Sequence, residues 1–190
     1  PKLLSEIKKI SKGLKGLRVF MVNSTACGGG VAEILKSLVP LMKDIGINVS
    51  WYTIPGQKNF FKVTKKIHSA LQSKKYTLSQ KDENIYISEL KKISNLMKDM
   101  HPDIWIIHDP QPAGLISFLP NLHPSIFRLH IDTTLPDKKT WNFIYGFIKK
   151  YDKIIVSSKD FLKPRIMKKS LVFTPAINPF IKKNRLMKMS

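Results

Sequence analysis

Three places in the chain set polar side chains or bare backbone directly after a short apolar run. Gly28, Gly29 and Gly30 follow the run at 18–23. His108, Asp109 and Gln111 close or follow the run at 103–108, and His130 and Asp132 close the run at 125–131. Three glycines ahead of a helical pattern admit positive φ and let a ligand approach the peptide N–H groups. The helix that opens at Val31 adds unpaired N–H groups and partial positive charge, so the guest this loop suits is an anion, most often a phosphate. No Gly-Lys-Ser/Thr follows, so it is not a Walker loop, and Glu33 stands where the dinucleotide fingerprint has a spaced glycine. A tight strand-to-helix turn without a ligand accounts for the same glycines. Ionised Asp109 and Asp132 can accept hydrogen bonds from hydroxyls, and an imidazole can donate or accept. The same aspartates are also good turn formers. Two histidines with two carboxylates at adjacent strand ends could instead hold a divalent metal for phosphoester hydrolysis, although their spacing matches no ligand motif. A serine triad lacks its Gly-x-Ser-x-Gly elbow.

The elements that must position these groups follow from periodicity. Short runs at 18–23, 47–54, 103–108, 125–131, 153–157 and 171–174 read as strands. Helical spacing appears through Val31, Leu35, Leu38, Val39 and Met42, with Pro40 predicting a kink or broken turn. It returns at 59–72 through Phe60, Val63, Ile67 and Leu71, at 85–100 through Ile85, Leu90, Ile93, Leu96 and Met97, and at 137–150, while 74–83 reads as a polar connecting loop. Strands alternating with helices in units of this size give an α/β fold, a Rossmann-like, doubly wound and mostly parallel sheet of about six strands. Its ligands belong at the strand C-termini, where all three polar clusters sit. Residues 18–177 form this domain. Residues 1–17 form an amphipathic arm that carries Leu3, Leu4, Ile7 and Ile10 on one face; packing on the domain is favoured over a membrane-surface role despite Lys8, Lys9 and Lys12. Residues 178–190 form a basic tail or interdomain linker.

A chain of 190 residues with 43% hydrophobic content suits one globular domain. Its one cysteine, Cys27, leaves no internal disulfide, which with no visible signal peptide points to the cytoplasm. No apolar run approaches the ~18 residues of a membrane span, so no membrane partner is expected. Lys and Arg number 33 against 13 Asp and Glu, a net charge of +20 that raises nucleic acid as a partner. The lysines argue against it: they are scattered in pairs from Lys8-Lys9 to Lys182-Lys183, with no aromatic platform and no nucleic-acid-binding motif among them.

Five ordered segments carry a resemblance. They are Val22 to Glu33 with its glycine run; Trp51, Gly56 and Phe60-Phe61-Lys62-Val63-Thr64-Lys65; His108-Asp109-Pro110-Gln111-Pro112; Arg128-Leu129-His130-Ile131-Asp132; and Pro175-Ala176-Ile177 with Lys183-Asn184. Together they resemble the N-terminal half of the trehalose synthase and trehalose phosphorylase branch of retaining GT-B glycosyltransferases. The resemblance implies an acceptor-side domain that helps form trehalose from glucose and an activated donor, either nucleotide-glucose or glucose 1-phosphate. Gly28 to Gly30 would approach the donor phosphates. Asp109 would accept hydrogen bonds from the acceptor hydroxyls, His130 would line the reacting face, and Glu33, Gln111 and Asp132 would line the acceptor site. The leaving phosphate would act as base, so the resemblance implies neither a protein nucleophile nor a metal or other cofactor. The donor would be gripped mainly by a second domain, expected where this chain ends after Pro175; alone, the chain would be inactive and its interdomain face could drive self-association. Asn178 stands where the family commonly has Asp, a departure that bears on interdomain closure. A non-enzymatic sugar- or phosphate-binding or interaction domain is the alternative.

Overall fold

A computed structural model describes residues 2–73 and 76–176; the proposed tail at 178–190, with Ile177, Asn178 and Lys183-Asn184, lies outside the described residues. The elements run α1 (Lys2–Ser11), β1 (Arg18–Asn23), α2 (Gly30–Asp44), β2 (Asn48–Thr53), α3 (Lys58–Gln72), α4 (Gln80–Met97), β3 (Ile104–His108), β4 (Ser125–Leu129), α5 (Lys138–Ile148), β5 (Lys153–Val156) and β6 (Ser170–Val172), with short 3-10 turns between some of them. The six strands form one sheet in the order β2-β1-β3-β4-β5-β6. Every pairing is parallel. The chain therefore reverses its direction of winding between β1 and β3, and that switch point is where sheets of this kind open a ligand crevice.

Alternate residues of each strand serve the two faces. Val19, Met21 and Val49 pack with Leu35 and Val39 of α2 on one side. On the other, Val22, Trp105, Ile107, Phe127 and Leu129 pack with Phe60, Ile67, Tyr86, Ile93 and Ile144 from α3, α4 and α5. Both clusters are built from apolar side chains almost wholly removed from water, which is the main stabilising contribution here. α4 begins at Gln80, within the stretch whose composition predicts a loop. Ser79 and Asp82 cap each other's backbone N–H groups reciprocally, and that capping box starts the helix five residues before the apolar pattern does. α2 runs unbroken through Pro40, so the expected break of the turn does not occur. Its apolar face, Leu35 and Val39 included, is held by the sheet, so tertiary packing offsets the one lost backbone hydrogen bond.

The arm departs furthest from expectation. α1 forms, but Leu3, Leu4 and Ile10 are 68%, 63% and 68% exposed, and none of its residues belongs to either core cluster. α2 and α3 to α5 already supply the apolar partners in those two clusters. No helix among the described residues is long and apolar enough to cross a membrane.

Tyr86 ties the core to the switch point. Its ring packs among Phe60, Phe143 and Phe147. Its hydroxyl donates to Pro110 O (2.7 Å) and accepts from Gly114 N (3.0 Å). The loop after β3, which carries Asp109 and Gln111, is thereby fixed by a buried hydroxyl at either end of its turn. Gly114 permits this approach, because a Cβ there would lie 2.7 Å from Leu90 Cδ1 and 3.0 Å from Tyr86 Cε1.

Candidate active site at the sheet switch point

Because the strands are parallel, the glycine loop after β1, Asp109 after β3 and His130 after β4 all lie along one edge of the sheet. The loop after β1 is built from its own side chains. Asn23, buried at the strand end, donates from Nδ2 to Thr25 O (2.8 Å) and accepts from Trp51 Nε1 (2.9 Å). Thr25 Oγ1 in turn closes on the backbone of Cys27. Gly28 and Gly29 take φ of 72° and 80°, in the left-handed region that favours glycine. Space around the Cβ position of each of the three glycines is open, so the loop presents its backbone to a cavity rather than to packed protein. Gly29 is the N-cap of α2 and brings no side-chain cap, so no side chain of the cap competes with an anion for the first N–H groups of the helix.

Gly28 to Gly30, Asn23, His108, Asp109 and Gln111 line one cavity of about 160 Å³ at this edge. Asp109 sits at φ 65°, a backbone conformation uncommon outside glycine. Its carboxylate accepts from His130 N (2.7 Å), and its own N–H donates to Arg128 O (2.9 Å). Burial pushes its carboxyl up to about 7, opposed by that N–H and by the charge of Arg128. His108 Nδ1 and His130 Nε2 are 2.9 Å apart, with the rings stacked at 5.2 Å. One must donate and the other accept, so the two tautomers are coupled. Burial, with the charge of Arg128, drives both imidazoles down, His130 to about 4 and His108, on which His130 also acts, well below the ordinary imidazole value, so both are neutral at pH 7. The outer nitrogens, His108 Nε2 and His130 Nδ1, are buried without a hydrogen-bond partner. Arg128 donates to Phe173 O (2.6 Å), linking this cluster to the segment after β6.

The expected site residues divide accordingly. Gly28, Gly29, Gly30, Asp109 and Gln111 come together around the cavity. His130 shares the edge and lies against His108, which lines the cavity; of the two rings His130 is the more exposed. Glu33, in the first turn of α2, does not line this cavity, and Asp132 closes its own turn by accepting from Thr134 N (2.7 Å) and Oγ1 (2.6 Å). Among the described residues, no group of three or more His, Cys, Asp or Glu is placed to hold a metal ion.

A second cavity, of about 430 Å³, shares Ser24, Thr25, His68 and Gln111 with the first and is completed by Phe61, Thr64 and Lys65 of α3. Sequence reasoning placed α3 but assigned none of its residues to a site. The available signal was the stripe Phe61, Thr64, Lys65 and His68, spaced three and four apart beside the core stripe.

The sequence profile of the trehalose synthase N-terminal domain matches residues 21–163. The chain is 38% identical over 183 residues to the trehalose synthase of Pyrococcus horikoshii, covering 95% of this chain and 44% of that protein. It is 40% identical over 183 residues to that of Thermococcus litoralis, with the same coverage. Against that of Rubrobacter xylanophilus it is 36% identical over 188 residues, covering 96% of this chain and 45% of the other. The chain thus spans less than half the length of the curated relatives it matches.

Proposed function

The chain belongs to the trehalose synthase N-terminal domain family, and on that premise we propose that it is the acceptor-side half of a retaining glucosyltransferase that forms trehalose. The donor is an activated glucose, nucleotide-glucose or glucose 1-phosphate, held mainly by a second domain across the crevice. The acceptor is glucose, and the reaction belongs to the cytoplasm. The observation that carries the reading is the convergence of the open glycine loop with His108, Asp109 and Gln111 on one cavity at the switch point.

In this reading the N–H groups of the glycine loop and the start of α2 face the donor phosphates, where negative charge builds as the glycosidic bond breaks. Asp109 orients the acceptor by accepting from its hydroxyls, on top of the bond from His130 N. The neutral His108 ring, held by His130, forms part of the wall, and the proton of the attacking hydroxyl passes to the leaving phosphate. The polar groups are held in place beforehand: Asn23 sets the glycine loop, and Tyr86 sets the turn that carries Asp109.

The test joins this chain to the remaining C-terminal part of the Thermococcus litoralis relative. The chimaera is supplied with labelled donor and glucose, and the product is identified with its anomeric configuration. Formation of trehalose supports the proposal. A folded chimaera that makes none, under conditions where the parent enzyme does, overturns it.

A further inference from the structure

The larger cavity is lined by side chains whose hydrogen-bonding capacity is not used within the protein. Thr25 and Thr64 are spent, on the backbone of Cys27 and on Phe61 O. Ser24, Lys65, His68 and Gln111 are different: among the described residues none of their side chains makes a hydrogen bond or ion pair. Burial lowers His68, so its ring is neutral and offers one donor and one acceptor. Phe61 supplies an apolar wall beside them. An aromatic surface ringed by unspent neutral donors and acceptors, with one ammonium and no carboxylate, suits a polyhydroxylated ring. A pyranose offers both apolar C–H faces and hydroxyls that donate and accept.

Size and continuity point the same way. The cavity beside the glycine loop, about 160 Å³, has room for a phosphoryl group and little more, whereas the α3 cavity, about 430 Å³, falls within the ~300–1,000 Å³ range of small-molecule sites. The two meet at Ser24, Thr25, His68 and Gln111, so a ring seated against α3 can extend a hydroxyl toward Asp109 and His108. A phosphorylated sugar fits less well. Lys65 is the one cationic side chain of the lining, it lies mid-helix in α3, and phosphate sites combine several charge-assisted donors.

We infer that the α3 cavity seats an uncharged acceptor hexose, with Phe61 against its ring face and Lys65, His68 and Gln111 as the side chains that select its hydroxyl pattern. This rests on the acceptor-side reading and extends the specificity site from the strand ends to a helix. The test uses the full 190-residue chain, ¹⁵N-labelled, titrated with glucose and followed by ¹H–¹⁵N spectra, beside Lys65→Ala and Gln111→Ala. Both substitutions are at positions outside the buried core, so the spectra themselves report that the fold is intact. Expected are shifts at residues 61–68 and Gln111 that follow one binding curve, with each substitution raising the dissociation constant about three- to tenfold. Shifts confined to Gly28–Gly30, Asp109 and His130, with α3 silent, overturn this inference and leave the acceptor-side reading standing. No shift anywhere at saturating glucose overturns both. Glucose 6-phosphate binding more than about tenfold tighter than glucose, with that advantage lost in Lys65→Ala, overturns the assignment to an uncharged ring.

Discussion

Asp109→Asn is expected to stabilise the chain above neutral pH. The carboxyl is buried and its folded value lies near 7, against 3.8 as the ordinary value. An acid whose folded value is raised binds more protons in the folded than in the unfolded state, so stability falls as pH rises through the window between these values. The penalty is complete above 7. The gap of about three units sets a ceiling of about 4 kcal/mol at 1.36 kcal/mol per unit. Asparagine keeps an oxygen to accept from His130 N while removing the charge. It also removes the counter-charge that Arg128 enjoys, so the net gain expected at pH 8 is about 1–3 kcal/mol. At pH 4, where wild-type Asp109 is itself protonated in the fold, the two proteins should converge. Urea unfolding of both at pH 4, 6 and 8 measures this, and the difference between them cancels the aspartates whose folded values are depressed, such as Asp82 and Asp137. A variant no more stable than wild type at pH 8, or a difference that does not change with pH, would refute the argument that Asp109 is held charged against its burial.

Tyr86→Phe leaves Pro110 O and Gly114 N without their shared hydroxyl in a buried site, and unfolding should show a loss of about 1–3 kcal/mol. Gly29→Ala meets no neighbour but must hold a φ of 80°, so it should cost about 1 kcal/mol or more in stability; in the chimaera it should raise KM for the donor and leave KM for glucose unchanged. On the proposed two-domain reading, the isolated chain lacks the positioning that is worth about 7–11 kcal/mol of barrier, and it should release no trehalose from labelled donor and glucose.

The strands were legible because each is a short β-branched or aromatic run, and the parallel order followed from their alternation with helices. That same parallelism made the functional edge legible, since it places every strand C-terminus on one side. What each side chain does there was not legible. Asp132 turns on its own Thr134, and His108 rather than His130 lines the cavity, because loop geometry decides which way a residue faces. The wall supplied by Phe61, Lys65 and His68 depends on how α3 leans against the switch point, which no local pattern encodes. α4 was missed at its start although Ser79-x-x-Asp82 is a capping signature, and α1 was expected to pack because amphipathicity reports an apolar face but not the surface that covers it.

The central claim is that this half of the enzyme governs the acceptor. The direct measurement is steady-state kinetics of the chimaera with the Thermococcus litoralis partner half, comparing Asp109 with Asp109→Asn while glucose and donor are varied separately. The account predicts that kcat/KM for glucose falls by about one to two decades, the loss of a hydrogen bond to a charged group, while KM for the donor stays within about twofold. Unchanged kinetics for glucose, or a loss that appears in donor binding instead, would contradict it.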